Sequence, residues 1–403
     1  MAGSADVVFA GGGVIGLSAA WLSAEQGLTV RVVDPEPGRG AAWVAGGMLA
    51  PVAEATFGEE ALVGLFLDAA ARWPAFASRL TEATGMETGF QECGTVAVAL
   101  DASDRAEIDQ LLDFRRELGL DTSRLSASEC RSLVPGLSPA IRGGALMPGE
   151  QQVDNRAVVL ALIEACARAG VDLVAERVAS VSLGRDGAAD GVLTEGGTLI
   201  PAGTVVLAAG AETPRIGGVP AGVIPPVRPV KGHMLRLRAT GTGTAAGTAA
   251  GTAAGTAAGT GQAFEHIVRG LVHGHHSYLV PRADGSVVLG ATAEERGYET
   301  TVRAGAVHML LDDARLLLPG IDEWELLECI AGLRPGSPDN APFVGPTSVP
   351  HLVLATGHYR NGFLLTPITA QAVAAYLTTG TVPPPLDAFP ADRHLSAAPP
   401  AGT

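Results

Sequence analysis

DVVFAGGGVIGLSAAWLSAEQGLTVRVVD, residues 6 to 34, is the stretch that decides the fold. Residues 6 to 12 form a short apolar run of strand character that ends in glycines. Residues 14 to 26 then carry helix formers until Gly27 stops them, and Leu28 to Asp34 read as a second buried strand. Within this strand, helix, strand unit Gly11, Gly13 and Gly16 fit G-x-G-x-x-G, directly after a strand and at a helix start. Gly11 permits the tight turn, Gly13 lets a pyrophosphate approach the backbone, and Gly16 lets helix and strand pack closely. The unpaired N–H groups of the helix N-terminus favour phosphate there. Asp34 closes the second strand, where a carboxylate accepts ribose hydroxyls. These residues read as a site for the ADP half of a dinucleotide; nicotinamide and flavin cofactors share that half, so the motif does not choose between them.

Working outward, GRGAAWVAGGMLAP, residues 38 to 51, is a small-residue stretch suited to a backbone passing close over a flat ring. Helical spacing is expected over residues 59 to 84 and 101 to 120, and strand alternation over TGFQECGTVAVAL between them. Asp154 or Asn155 is placed to cap the helix AVVLALIEACARAG. The strand-like runs TVVLAAGAET and HLVLATGHYRNG each end in a glycine, where a nucleotide-binding sheet meets its ligand. Residues 223 to 301 turn β-rich. This pattern predicts a discontinuous nucleotide domain (1–85, 150–222, 325–382) with an inserted β-rich substrate domain (86–149, 223–324). The GTAA repeat over 243–260 is expected to be a flexible loop, since each tetrad carries a glycine, and the proline-rich tail 383–403 to be poorly ordered.

At 403 residues the chain exceeds what one core supports, and 47% hydrophobic with 17% charged residues describes a globular protein. A formal net charge of -15 argues against nucleic acid or an anionic membrane surface as partner and favours a small molecule. Cys93, Cys130, Cys166 and Cys329 show no metal-ligand spacing and read as reduced thiols. The amino-terminal region has neither a secretory signal pattern nor an apolar run long enough to span a bilayer, so a cytoplasmic protein is expected. His273, His275 and His276 form an HGHH cluster without cysteine or carboxylate spacing, so a polar strand edge is expected rather than a metal site.

GGGVIG, AGGML, PVKGHML, YLVPR with VVLGAT, AGLRPGSPDNAPFVGP and ATGHYRNGFLLTPITA follow one another along nearly the whole chain. In this order and spacing they resemble the D-amino acid oxidase superfamily of flavoproteins, and within it the glycine oxidases of the thiamine-thiazole pathway. The resemblance implies an α/β fold, a Rossmann-like FAD-binding domain with an inserted β-rich α+β substrate domain, and non-covalent FAD. Besides the glycines, it implies Val14, Ile15 and Asp34 on the ADP portion and Val178 near the adenine. Ala41, Ala42, Gly46, Gly47 and Met48 would line the flavin. His358, Tyr359, Arg360, Asn361, Gly362, Phe363 and Leu364 would cradle its ring system. Arg334 takes the place of the family's carboxylate-binding arginine, Arg360 of its second active-site arginine, and Tyr278 of its substrate-facing tyrosine. A small amino acid, oxygen and a homo-oligomer, commonly a tetramer, are the implied partners.

The chemistry suits these residue types. Oxidising an amino acid to its imine moves a hydride from Cα to the flavin, so the protein must chiefly position the substrate. A guanidinium at Arg334 can hold a carboxylate through two parallel N–H bonds; the alternative is a structural ion pair with Asp339. Arg360 either stands near the reduced flavin or is a solvated loop residue, and Tyr278 either reaches the substrate or edges the core. Sarcosine, D-proline and D-amino acids are alternative substrates, and a flavin subunit needing a partner is an alternative role. Ala50 and Ala293 depart from residues that relatives carry near the substrate entrance.

Overall fold

The computed structural model describes residues 4–239 and 263–395, so the GTAA repeat lies outside the described residues. Its first sheet has a parallel centre running Asp172–Val174, Val30–Val33, Ala5–Ala10, Leu199–Leu207 and Leu352–Thr356. Phe9 sits in register with Val32 on one side and Val206 on the other. All three are fully or nearly fully buried, as near-continuous apolar runs in a sheet covered on both faces must be. An antiparallel extension, Val178–Leu183 and Ala189–Thr194, continues from the long strand Leu199–Leu207, and Phe343–Pro346 closes the far edge.

The helix Val14–Glu25 follows the first strand as the glycine motif requires. Gly16 is where they touch: a Cβ built there would lie 2.0 Å from the Gly11 carbonyl oxygen. Gly11 itself has φ +113°, a conformation that L side chains avoid. A long helix, Glu60–Thr84, and the helices Asn155–Arg168 and Thr366–Thr379 pack with Val14–Glu25 into the largest core. Asp154 is the N-cap of Asn155–Arg168, accepting from the N–H groups of Arg156 and Ala157.

A second sheet, also of eight strands, runs Glu325–Gly336, Arg228–Arg238, Ser286–Gly290, His275–Pro281, Ile267–Val272, Thr95–Ala99, Gly143–Met147 and Ser123–Leu125. One boundary differs from expectation: Glu325–Gly336 is the edge strand of this sheet, not part of the nucleotide sheet. It pairs along its length with Arg228–Arg238, whose alternating side chains fix its register. The tail also differs over its described part. Leu386 and Ala391 are buried, and Arg393 stacks 4.0 Å over Phe343 while donating to Asp339. Those contacts seat residues 386 to 394 against the first sheet.

Substituting Gly16→Ala tests the helix and strand contact by sign. Helix propensity alone would stabilise the variant by about 1 kcal/mol. The clash with the Gly11 carbonyl should instead destabilise it by roughly 1–3 kcal/mol in denaturant melts.

Candidate active site

The two sheets meet around one long cavity of about 1170 Å³. That exceeds the roughly 300–1,000 Å³ of ordinary small-ligand pockets. One end is the carboxyl edge of the parallel sheet, with Gly11, Gly13, Val14, Ile15, Asp34 and Val178. The middle carries Ala41, Ala42, Gly46, Gly47 and Met48, and the other end brings Arg334, Tyr278, His358, Tyr359, Arg360, Gly362 and Phe363 together.

At the first end the helix Val14–Glu25 has Gly13 as its N-cap and no side chain capping it. Its first intrahelical bond runs from the Leu17 N–H to the Gly13 carbonyl, so the N–H groups ahead of it are unspent. Asp34 accepts the Gly12 N–H at 2.7 Å and the Glu36 N–H at 2.8 Å. Two backbone bonds fix its carboxylate while leaving lone pairs for further donors. An anion at the helix start and hydroxyls at Asp34 are what this end is built to receive.

The middle segment, residues 41 to 49, is held from outside itself. Asn155 donates from Nδ2 to the carbonyls of Ala42 (2.9 Å) and Trp43 (3.0 Å), and Arg282 donates to the Gly46 carbonyl at 2.6 Å. Met48 and Leu49 pair with Gln152 and Gln151. This gives a backbone of small residues, fixed in place, along a cavity wall.

At the far end Tyr278 lies across Gly290, where a Cβ would come within 2.7 Å of its ring, and its hydroxyl donates to Met234 Sδ at 3.2 Å. Burial holds the phenol above its ordinary pKa, with the Arg334 charge opposing. Arg334 donates from Nη1 to the Thr292 carbonyl at 3.0 Å and lies over Gly232, which leaves room for the guanidinium. Among the described residues no carboxylate lies in ion-pair distance of Arg334. Asp339, the alternative partner, is taken by Arg393 and His394. Arg360 differs: its Nε is 3.5 Å from Glu54 and its Nη2 is 4.0 Å from Glu59. Burial drives the His358 imidazole down to about 3, and its Nε2 meets the Thr369 hydroxyl at 3.0 Å. Trp73, from the long helix, donates to the carbonyls of Phe363 and Leu364, each at 3.1 Å, and so holds the turn after Arg360.

Three residues expected at the cofactor do not line the cavity. Gly16 serves the strand contact, Leu364 is packed in the core, and Asn361 is buried within the turn leading to Thr366. Ala50 and Ala293 also stand away from the wall. Ala50 is buried with Val52, Ala53 and Met147, and Ala293 is exposed. Sequence reading missed Gly232 and Met234, although strand alternation within PVKGHML places both on one face. It also missed Glu54, Arg39, Arg177 and Arg215, whose positions no local pattern signals. The three HGHH imidazoles each face a carboxylate from elsewhere in the chain: Asp101 (3.0 Å), Asp313 (3.6 Å) and Glu107 (3.3 Å). Asp101, Asp104 and His273 approach one another closely, but the carboxylates already accept the N–H groups of Ser103, His273 and Gly274.

A parallel sheet ending in an uncapped helix start with a carboxylate beside it, joined to a cavity lined by small residues, is the architecture of a dinucleotide-binding protein. Residues 6–376 match the DAO family, described as FAD dependent oxidoreductase, and the chain belongs to that family. The bifunctional protein ThiO/ThiG of Synechocystis sp. is 32% identical over 395 residues, covering 98% of this chain and 54% of that protein. The chain thus spans about half the length of several curated relatives it matches. Glycine oxidase of Geobacillus kaustophilus is 30% identical over 97% of each chain. Its crystal structure superposes with a TM-score of 0.85, covering 98% of this chain and 100% of that one. The cofactor is FAD, and the cavity fits it, with the uncapped helix start for the diphosphate and the small-residue wall for the ring. No helix among the described residues is long and apolar enough to cross a membrane.

The His358 shift carries a sign. The unfolded imidazole binds a proton below about pH 6.5 and the folded one does not. This residue should therefore cost on the order of 1 kcal/mol of stability per unit as pH falls from 6.5 toward 3. Between pH 6.5 and 5 the melting temperature of wild type should drop further than that of His358→Asn; parallel curves would refute the assignment.

Proposed function

We propose that the chain oxidises glycine, or an amine of similar size bearing one carboxylate, to its imine. The observation that carries this reading is the contrast at the far end of the cavity. Arg334 stands beside Tyr278 without a carboxylate partner, while Arg360 is already engaged by two. A substrate carboxylate would dock on Arg334 through paired N–H bonds, fixing Cα against the small-residue wall. Tyr278, kept protonated by burial, would donate to the same carboxylate. FAD supplies the hydride acceptor, with oxygen reduced to hydrogen peroxide as it is regenerated. The amine loses a hydride and a proton, and water converts the released imine to glyoxylate and ammonia.

His358 stays neutral through the working pH range, so it acts as a fixed hydrogen-bonding group and carries no charge toward the ring. Resemblance to the glycine oxidases of the thiamine-thiazole pathway, together with relatives named ThiO/ThiG, supports a place in thiazole formation. The same resemblance supports a homo-oligomer.

The test is anaerobic flavin bleaching across glycine, sarcosine, D-proline and D-alanine, with peroxide measured in air. Glycine should reduce the flavin with the highest kcat/KM; preference for a bulky D-amino acid would displace glycine from the assignment. Replacing Arg334 with alanine should leave FAD bound while lowering kcat/KM by on the order of a hundredfold or more. Unchanged reduction would mean that another group holds the carboxylate.

A further inference from the structure

The segment from Ala50 to Glu59 follows the cofactor loop and has almost no regular structure, yet it is tightly fixed. The N–H groups of Val52 and Ala53 both donate to Glu150 Oε1, at 2.9 and 2.8 Å. Arg115 donates to the carbonyls of Ala53 (2.6 Å) and Ala55 (3.2 Å). All of these groups are buried, so the one side chain this clamp presents, Glu54, has a set direction. Its side chain is 9% exposed. Oε1 accepts from Arg269 Nη2 at 2.7 Å, and Oε2 faces Arg360 Nε at 3.5 Å. Burial opposes ionisation of Glu54, but the charges of Arg269, Arg360 and Arg115 outweigh it and bring its pKa to about 2. Glu54 is therefore anionic at any working pH.

The consequence concerns Arg360. It lines the same cavity as Arg334, and a cavity with two unengaged guanidiniums would take a ligand with two anionic groups. Glu54, and more weakly Glu59, pair electrostatically with the second guanidinium, at 3.5 and 4.0 Å. Glu59 is itself held by Asn340 Nδ2. Any second anion approaching Arg360 would have to displace Glu54 or lie beside it, and like charges in a partly desolvated site are strongly disfavoured.

We propose that Glu54 is a specificity-determining residue, which reserves Arg360 and so restricts the cavity to ligands with a single anionic group. This rests on reading the Arg334 end as the site of the substrate carboxylate.

Binding to the FAD-loaded enzyme tests it without turnover. Dissociation constants for acetate and succinate are read from perturbation of the flavin spectrum. Wild type should prefer acetate. Glu54→Gln should shift the succinate to acetate affinity ratio toward succinate by about tenfold, the scale of a freed charged hydrogen bond. Glu54→Asp should restore discrimination, and adding Arg360→Gln to Glu54→Gln should abolish the gain. Should Glu54→Gln fail to retain FAD, Glu59→Gln, on the outer side of Arg360, should move the ratio the same way by a smaller factor. An unchanged ratio in the folded variants overturns the proposal while leaving the Arg334 reading intact. If neither acid perturbs the wild-type spectrum, the Arg334 reading fails and takes the proposal with it.

Discussion

Every buried backbone N–H and carbonyl needs a partner, and the constraint bears hardest on residues 38 to 59. This stretch leaves the parallel sheet and runs between the two sheets with one helical turn, two paired residues and a few tight turns, among them Glu54 N–H to the Ala50 carbonyl, to satisfy its own groups. Others are satisfied by buried side chains reaching in from distant parts of the chain: Asn155, Arg282, Glu150 and Arg115. Because Arg282 opens the hairpin turn after the second-sheet strand His275–Pro281 and Asn155 starts a helix packed on the first sheet, the same bonds that keep this stretch from being an energetic liability also join the two halves. Burial raises Glu150 to about 7, against the N–H bonds it accepts from Val52 and Ala53. The small-residue wall of the cavity and the Glu54 segment that follows it are thus positioned by one set of contacts.

Electrostatics divides the cavity along its length. The chain carries a net charge of -15, yet its long cavity is rich in guanidiniums and in exposed N–H groups. At the nucleotide end the positive character comes from an uncapped helix and suits phosphate. At the other end it comes from Arg334 and Arg360, which differ in what surrounds them. Among the described residues one has a carbonyl and no carboxylate beside it, and the other has two carboxylates within 4.0 Å. Two identical side chains in one cavity so acquire different surroundings through neighbours that lie far away in sequence.

Much of this was legible from local pattern. The glycine spacing, the strand and helix periods, the cap at Asp154 and the prominence of GLRPG and GHYRNG all depend on residues close together in the chain. Arg334 was singled out by resemblance alone, and in the structure Asp339, weighed as its ion-pair partner, lies instead against Arg393. What escaped the sequence were contacts across long separations. Glu54 meets Arg269 and Arg360, the imidazoles of HGHH meet carboxylates from two helices, and Ala50 turns into a side cluster away from the cavity. The edge strand Glu325–Gly336 joined the other sheet because pairing partners, unlike periods, are chosen in three dimensions.

By itself, then, the sequence determined a dinucleotide-binding βαβ unit, since a turn of Gly11 at φ +113° and the close approach at Gly16 admit no other residue without strain. It determined as well which residue types were present for acid binding. Only the tertiary structure decided which guanidinium is open and which is spoken for. A charged group's role is set by the partners and burial around it, and those are fixed when distant segments pack.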